Sequence, residues 1–233
     1  MKYVVSDIHG RLDRLKRLVE VISLKDDDTL YVLGDMVDRG EESIEVIQYI
    51  MDKKNIEAIM GNHDRMMLYS LKNMDETEIR RWNRNGNETT LQGFNKLSKK
   101  EQGKILSFLE SLEYYKIVDE KYFLVHAGID MVKLKEDINI KSFKEAMNSQ
   151  EHQLVWVRED FFMNKGFEDY TVVFGHNPRP YLDKKFEKEV KKPYKIWFDK
   201  IYKDKICIDT ANCYEEGRMA CLRLDDMAEF YVD

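Results

Sequence analysis

Histidines stand in four short, separate stretches of this chain: Ser6-Asp7-Ile8-His9-Gly10, Gly61-Asn62-His63-Asp64, Val125-His126-Ala127-Gly128 and Gly175-His176-Asn177-Pro178. Another polar stretch, Gly34-Asp35-Met36-Val37-Asp38-Arg39-Gly40, lies between the first two. Carboxylate, imidazole and amide oxygen make up a donor set that can hold divalent metals while leaving a position for solvent. A cation held in that way activates water for attack at phosphorus. Each stretch alone is ambiguous, because Asp and Asn are equally at home in turns and caps. All of them together, in this order, point to metal-assisted hydrolysis of a phosphate ester.

Roles can be assigned within that chemistry. Asp7 and His9 are two residues apart, so the alternation of a strand end aims both at one metal. Water activated between two metals attacks phosphorus directly, and no covalent phosphoenzyme is required. Phosphate monoesters are among the slowest biological bonds to break, so the departing alkoxide must also be protonated. His63 is the candidate general acid, with Asp38 orienting and charging its imidazole. Arg39 follows Asp38 directly, and a guanidinium beside two metals suits a bidentate grip on phosphate oxygens.

The elements that must position these residues are read from periodicity. Tyr3-Val4-Val5 is a short strand-forming run that ends in the first motif, and Leu12, Leu15, Leu18, Val19 and Ile22 follow at helical spacing. Thr29 to Leu33 and Ile56 to Met60 also run into motifs, with Ile44, Ile47, Ile50 and Met51 along a helix face between them. The motifs therefore fall at carboxyl ends of strands, the edge where loops of an open α/β sheet converge on ligands. Residues 66–112 break the alternation and read as mostly helical, with Ser98-Lys99-Lys100-Glu101 as a capping box for a helix through Leu112. This segment is expected to be a small helical cap inserted into a single domain spanning residues 1–233. Strands are predicted at Tyr122–Val125, Thr171–Phe174, Lys205–Ile208, Met219–Leu224 and Glu229–Val232, the last two as a hairpin around Asp225-Asp226.

The Asp-x-His, Gly-Asp-x-x-Asp-Arg-Gly and Gly-Asn-His-Asp motifs resemble those of the calcineurin-like metallophosphoesterases. Within them, the likeness is to the phosphoprotein phosphatase group, particularly its small bacterial and phage serine/threonine phosphatases. It runs from residue 1 to about residue 180. The resemblance implies an α/β fold in which a two-sheet β-sandwich is flanked by helices. It implies two divalent ions, manganese with iron or zinc as alternatives. Asp7 and His9 would hold the first and Asp35 would bridge. Asn62, His126 and His176 would complete the second, Asn62 also facing the phosphate. The segment Leu154-Val155-Trp156-Val157-Arg158 resembles the one that returns a phosphate-binding arginine, here Arg158, to the site. Ser6 stands where Gly is common, Asp64 where eukaryotic relatives have Glu, and Asn177 where Thr is frequent; all leave the metal ligands intact and bear on substrate class.

The expected substrate is a phosphoserine or phosphothreonine in a phosphoprotein or phosphopeptide. The alternative is a dinucleoside polyphosphate (diadenosine tetraphosphate-type) hydrolase, because such enzymes resemble this chain in the Gly-Asn-His-Asp and His-Ala-Gly motifs. They tend to be longer, and the Trp82–Thr90 and Val155–Arg158 segments look more like the small protein phosphatases. A non-enzymatic scaffold of the same fold should have lost ligands or the general acid, and here all are kept.

Composition sets outer bounds. A chain of 233 residues with 43% hydrophobic content can bury one sizeable core. Its net charge of −6 argues against nonspecific binding of nucleic acid or anionic membrane. No apolar run reaches the roughly 18 residues of a membrane span, and a strand begins almost at once without a basic and apolar leader, so a cytoplasmic protein is expected. Cys207, Cys213 and Cys221 lack paired spacing and are expected to be buried thiols. Pro178, Pro180 and Pro193 fall in one late stretch read as loop, Asp26-Asp27-Asp28 reads as a solvated turn, and His152 as structural. Lys184 to Lys205 holds nine lysines against four acids, interleaved with aromatics, and reads as a solvated surface loop or a surface that attracts anionic substrates.

Overall fold

A computed structural model describes residues 1–187 and 189–233. It begins with β1 (Lys2–Val5), α1 (Leu12–Val21), β2 (Thr29–Val32), α2 (Ser43–Met51) and β3 (Ile56–Ala58). Helices α3 (Asn62–Leu71), α4 (Glu76–Asn83), α5 (Glu88–Asn95) and α6 (Lys99–Glu110) follow. Strands β4 (Tyr115–Val118) and β5 (Tyr122–Val125) lead to short helices α7 (Met131–Asp137), α8 (Phe143–Asn148), α9 (Glu151–Trp156) and α10 (Glu159–Phe162). The chain then forms β6 (Thr171–Phe174), α11 (Arg179–Phe186), β7 (Trp197–Phe198), β8 (Lys205–Cys207), β9 (Met219–Arg223) and β10 (Glu229–Val232).

The strands make two mixed sheets, one in the order β10-β9-β1-β2-β3 and the other β4-β5-β6-β8-β7. In the first, β1 to β3 run parallel, with Val5 opposite Val32 and Val32 opposite Ala58. In the second, β5, β6 and β8 run parallel. Parallel neighbours put their carboxyl ends, and the loops that leave them, on the same edge.

Alternation along each strand separates the layers. Val4 joins Tyr31, Leu124, Val173, Ile206 and Leu222 in the seam between the sheets. Tyr3, Val5, Leu30 and Val32 turn the other way and pack with Leu15, Leu18, Ile47, Ile50, Met67 and Trp82 of the first helical layer. Phe123, Val125, Val172 and Phe174 do the same with Phe161, Phe162 and Leu182 of the second. Central strands buried on both faces explain why these runs are continuously apolar rather than alternating. The result is the helix-flanked two-sheet sandwich.

Local signals set the helix ends. Ser98 Oγ accepts the Glu101 N–H at 3.3 Å while the Ser98 N–H reaches the Glu101 carboxylate at 2.8 Å, the expected capping box. Its helix stops at Glu110, two residues early. Pro178 and Pro180, read from sequence as loop, instead open α11, where a missing N–H leaves no helical bond unmade. The lysine-rich stretch also differs from a plain loop: it contains the end of α11, β7 and the start of β8. Lys205 is fully buried against Asp199, at 3.1 Å, and Asp204. Lys188 of that stretch lies outside the described residues. Asp26 and Asp27 are exposed turn residues, whereas Asp28 is buried and accepts the Lys25 N–H at 3.0 Å. Among the described residues, no helix is long and apolar enough to cross a membrane.

Candidate active site

Asp7, His9, Asp35, Asp38, Arg39 and His176 lie on loops leaving β1, β2 and β6, and all have positive φ, from 48° to 73°. Non-glycine residues rarely adopt this conformation, and such strain concentrates where side chains must be aimed at a common point. Main-chain bonds between loops hold it. The Asp7, His9 and Gly10 N–H groups donate to the carbonyls of Gly34, Asp35 and Met36 at 3.2, 2.9 and 3.0 Å. The buried Asp64 carboxylate accepts the N–H groups of Asp35, Met36 and Gly61 at 2.8, 3.0 and 3.1 Å. Asp64 thus pins the Asp35 loop to the start of α3, a role its place beside His63 did not disclose. Gly61 permits that approach, since a Cβ there would lie 2.2 Å from the Asp35 nitrogen.

Asp35 is the hub. Its Oδ2 lies 3.6 Å from His9 Nε2 and 4.0 Å from His63 Nε2, while Oδ1 lies 3.5 Å from His126 Nε2. The donor atoms of His9, Asp35 and His63 lie within 4.8 Å of one another, as do those of Asp35, His126 and His176. His9 Nδ1 donates to the Val37 carbonyl at 2.8 Å and His126 Nδ1 to that of Leu33 at 2.7 Å, which leaves both Nε2 lone pairs on the side of Asp35. Asp7 stands outside both groups, its Oδ2 accepting the His176 N–H at 3.0 Å.

The electrostatics fit cations. Burial, reinforced by Asp7 and Asp64, raises the Asp35 carboxyl well above the usual carboxylate range. Burial likewise pushes the His9, His63 and His176 imidazoles well below their ordinary value, and His126 below it. His176 Nε2 is buried with no partner. The Asn62 carbonyl oxygen faces His126 Nε2 at 2.8 Å, so two acceptors meet in a place that a cation would satisfy.

Beside this hub, His63 Nδ1 meets Asp38 Oδ2 at 2.6 Å. Asp38 is completely buried, and burial raises its carboxyl to about 7 despite bonds from Thr90 Oγ1 at 2.7 Å and Trp82 Nε1 at 2.8 Å. Arg39 reaches His9 Nε2 at 3.1 Å, His63 Nε2 at 3.2 Å and Cys213 Sγ at 3.1 Å. Arg158 arrives from the opposite wall, its guanidinium donating to the His176 carbonyl at 3.2 Å and Asn177 Oδ1 at 3.0 Å.

These residues line a cleft of about 310 Å³. All the sequence candidates except Asp38 and His126 reach its surface, and those two lie one layer behind, against His63 and Asn62. Sequence reasoning missed Asn85, Tyr181, Asp209, Cys213 and Tyr214, which also line it. Asp209 follows β8 as Asp35 follows β2, and that strand-then-acid signal could have found it. Cys213 corrects an expectation: Cys207 and Cys221 are buried, but Cys213 is half-exposed in the cleft. His152 lies outside the cleft, stacked on Trp156 with centroids 6.2 Å apart.

The sequence model of the calcineurin-like phosphoesterases matches residues 3–206, and the chain belongs to that family. It is similar to a symmetrical bis(5′-nucleosyl)-tetraphosphatase of Buchnera aphidicola subsp. Schizaphis graminum, 33% identical over 130 residues, 54% of this chain and 44% of that protein. A relative with the same description from Actinobacillus pleuropneumoniae serotype 3 is 39% identical over 71 residues, 30% of this chain and 26% of that protein. The chain thus matches less than half the length of these curated relatives. Among solved structures, one provisionally called a diadenosine tetraphosphatase aligns with TM-score 0.63 at 19% identity, over 99% of this chain and 92% of that one. A serine/threonine phosphatase from Saccharomyces cerevisiae aligns with TM-score 0.59 at 16% identity, over 99% and 78%. At these identities the structures speak for the fold alone.

The sequence likeness to tetraphosphatases overturns the expectation of a phosphoserine or phosphothreonine phosphatase with a phosphoprotein partner. The physical reason lies in the segments that suggested it. Trp82 and Thr90 hydrogen-bond Asp38, and Val155 packs in the core. These contacts fix Asp38 and the core behind the cleft whatever the cleft binds, so they carry no information on substrate.

Proposed function

We propose that this chain hydrolyses a phosphoanhydride of dinucleoside tetraphosphates, cutting at the centre to give two nucleoside diphosphates. The observation that carries the reading is the 33% identity over 130 residues with a symmetrical bis(5′-nucleosyl)-tetraphosphatase. The cleft is compatible with it, since Arg39 and Arg158 on opposite walls suit an extended phosphate chain and Trp156, Tyr181 and Tyr214 flank it with rings.

In this reading Asp7, His9 and Asp35 would hold one divalent ion, and Asp35, Asn62, His126 and His176 would hold the second, with manganese, iron or zinc as the candidates. Such ions, when bound, lower the pKa of water and neutralise charge that builds on phosphate oxygens. The chain's own residues do the rest. Arg39 and Arg158 bind non-bridging oxygens and fix the phosphorus for attack. Asp38, held by Trp82 and Thr90, orients His63 and stabilises its charged form as the phosphate chain enters. His63 then delivers a proton from Nε2 to the departing oxygen. That oxygen belongs to a phosphate with a pKa of about 6, so protonation matters less than it would for an alkoxide. Residues 66–112 act as a cap inserted into one domain, contributing Asn85 to the cleft.

The test is product analysis. Purified protein with added manganese is incubated with diadenosine tetraphosphate, and nucleotides are resolved by anion exchange. ADP alone is expected. AMP plus ATP would defeat central cleavage, and faster phosphate release from a phosphoserine peptide would defeat the substrate class.

A further inference from the structure

A second groove opens from the catalytic cleft between α11 and the loop after β8. Pro178, Tyr181 and Tyr214 line both spaces, so the two are continuous, and the groove adds about 590 Å³. Its walls are more apolar than the cleft's, with Pro180 and the buried Tyr194 beyond the shared residues, and Glu215 and Glu216 stand on its rim. We propose that this groove seats one nucleoside of a dinucleoside polyphosphate, with Tyr214 stacking on its base. The proposal rests on the substrate class assigned above and adds the residues that recognise the part of the substrate beyond the phosphates.

Tyr214 is the ring left free. It is 53% exposed, and among the described residues no other ring and no cation lies over it. Neighbouring rings are already engaged: Arg158 and Lys185 lie 5.5 and 5.6 Å from the Tyr181 centroid, and Trp156 has His152 and Arg81 at 6.2 and 5.3 Å. An exposed aromatic ring beside a phosphate site is a platform for a base, since every base offers a π face.

The loop that carries Tyr214 is held in place. Asn212 Nδ2 donates to the carbonyls of Asp7 and Ile8 at 3.1 and 2.9 Å, tying the loop to the first motif. Arg14 donates to the Asn212 carbonyl at 2.8 Å from the other side. Tyr214 N–H bonds the Ala211 carbonyl at 2.9 Å, and Gly217 N–H bonds that of Tyr214 at 3.0 Å. A Cβ on Gly217 would sit 1.6 Å from the Ala211 oxygen, so the turn accepts glycine alone. The platform is therefore set before ligand arrives, which limits the ordering cost of binding.

Charge runs in the matching direction. Arg39 and Arg158 sit at the cleft end, where phosphates belong, whereas the groove beyond carries both acidic and basic side chains, Glu215, Glu216 and Lys184. Lys192 neutralises Glu216 and Lys184 joins the same wall, so a neutral base meets no net field. A nucleotide laid phosphate-inward meets cations first and ring surfaces after.

The experiment compares wild type, Tyr214→Ala and Tyr214→Phe by calorimetric titration with ADP and by kinetics on diadenosine tetraphosphate and inorganic tripolyphosphate. One stacking contact corresponds to about 10-fold in affinity, so Tyr214→Ala should weaken ADP and raise KM for the dinucleotide by about that factor. Tripolyphosphate, which has anhydrides but no base, should shift by a smaller factor, and Tyr214→Phe should restore wild-type affinity. Equal shifts on both substrates, or Tyr214→Phe as impaired as Tyr214→Ala, would overturn the groove assignment. So would ADP affinity that is absent in wild type or untouched by Tyr214→Ala. Failure of wild type to hydrolyse diadenosine tetraphosphate would instead overturn the proposed activity, while the ADP titration still decides the groove.

Discussion

On one wall of the cleft, Asp7, His9 and Asp35 sit on loops and Asn62 and His63 on the first turn of α3, bonded to each other through the main chain and through the Asp64 carboxylate, and they are almost entirely buried. On the other wall, Trp156, Arg158, Tyr181 and Tyr214 come from α9, α11 and two loops, and they are half-buried or exposed. The first wall is fixed by many bonds and almost wholly buried; the second is more exposed and assembled from separate elements, with Arg158 held by two bonds to His176 and Asn177 and the Tyr214 loop tied to Asp7 and Ile8 through Asn212. Reaction type follows from the first wall, since water activation and proton delivery need fixed lone pairs. What lies beyond the phosphorus is proposed to be read by the second. Motifs from the first wall alone consequently named the chemistry and mistook the substrate.

The sharpest test of the first wall is Asp35→Asn. Both clusters share this carboxylate, so removing its charge should cost several kcal/mol of transition-state stabilisation, about 10³-fold or more in kcat. The same change relieves a buried acid crowded by Asp7 and Asp64, so the metal-free protein should melt at a higher temperature than wild type. Near-normal turnover with two metals per chain by elemental analysis would break the hub assignment.

His63→Asn comes next, and its cost should depend on the leaving group. A general acid contributes about 10²–10⁴-fold where an alkoxide departs, as from phosphoserine, and less where a phosphate departs, as from a dinucleoside polyphosphate. Equal losses on an alkyl phosphate and on diadenosine tetraphosphate, with metal content intact, would remove His63 as proton donor.

A smaller effect appears in stability against pH. Burial holds the Asp38 carboxyl at about 7 in the folded chain, far above its unfolded value, so folding favours the protonated form. The contribution is present in full below the unfolded pKa of about 4 and is lost as pH rises through about 7. Asp38 alone therefore makes metal-free protein melt lower at pH 8 than at pH 5, against the opposite contribution of His9, His63, His126 and His176, which burial holds neutral and which favour the fold as pH rises. Asp38→Asn should remove that contribution and so shift the slope of melting temperature against pH in the positive direction, leaving the shares of the histidines and of Asp35 and Asp209, also raised by burial. A slope unchanged by the substitution would mean that Asp38 is already ionised in the fold.

How much of this could be read in the chain itself follows the same division between walls. β1, β2, β3, β5 and β6 were legible because apolar runs end abruptly in polar motifs, and the Ser98 helix because its cap is written in four consecutive residues. The strands β4 and β7 were not, since Tyr115–Val118 is partly exposed and Trp197–Phe198 is only two residues long. Asp64 looked like a substitution in a motif, yet its function depends on main-chain groups near residue 35, which no local pattern announces. Tyr181 and Tyr214 lie 33 positions apart in sequence and meet only because β6 and β8 are neighbours in a sheet. Periodicity encodes burial and local chain direction, whereas a site assembled across strands is a product of topology.

Arg158→Ala separates the two jobs of the second wall and carries the smallest expected effect. Its guanidinium is proposed to hold phosphate, whereas Tyr214 is proposed to hold a base, so the two substitutions should differ in selectivity rather than only in size. Loss of one charge-assisted contact is worth about 1.5–3 kcal/mol in a buried site, and the half-exposed position of Arg158 places it at the low end, about 10-fold in KM. That factor should be the same for diadenosine tetraphosphate and tripolyphosphate, because both present the same oxygens. Metal content should not change, since the Arg158 guanidinium bonds the His176 carbonyl and the Asn177 side chain rather than an imidazole. Arg158→Lys should recover only part of the loss, because an ammonium keeps the charge but not the planar fork. A penalty confined to the dinucleotide would move Arg158 from the phosphates to the nucleoside, and the second wall would then have a single task.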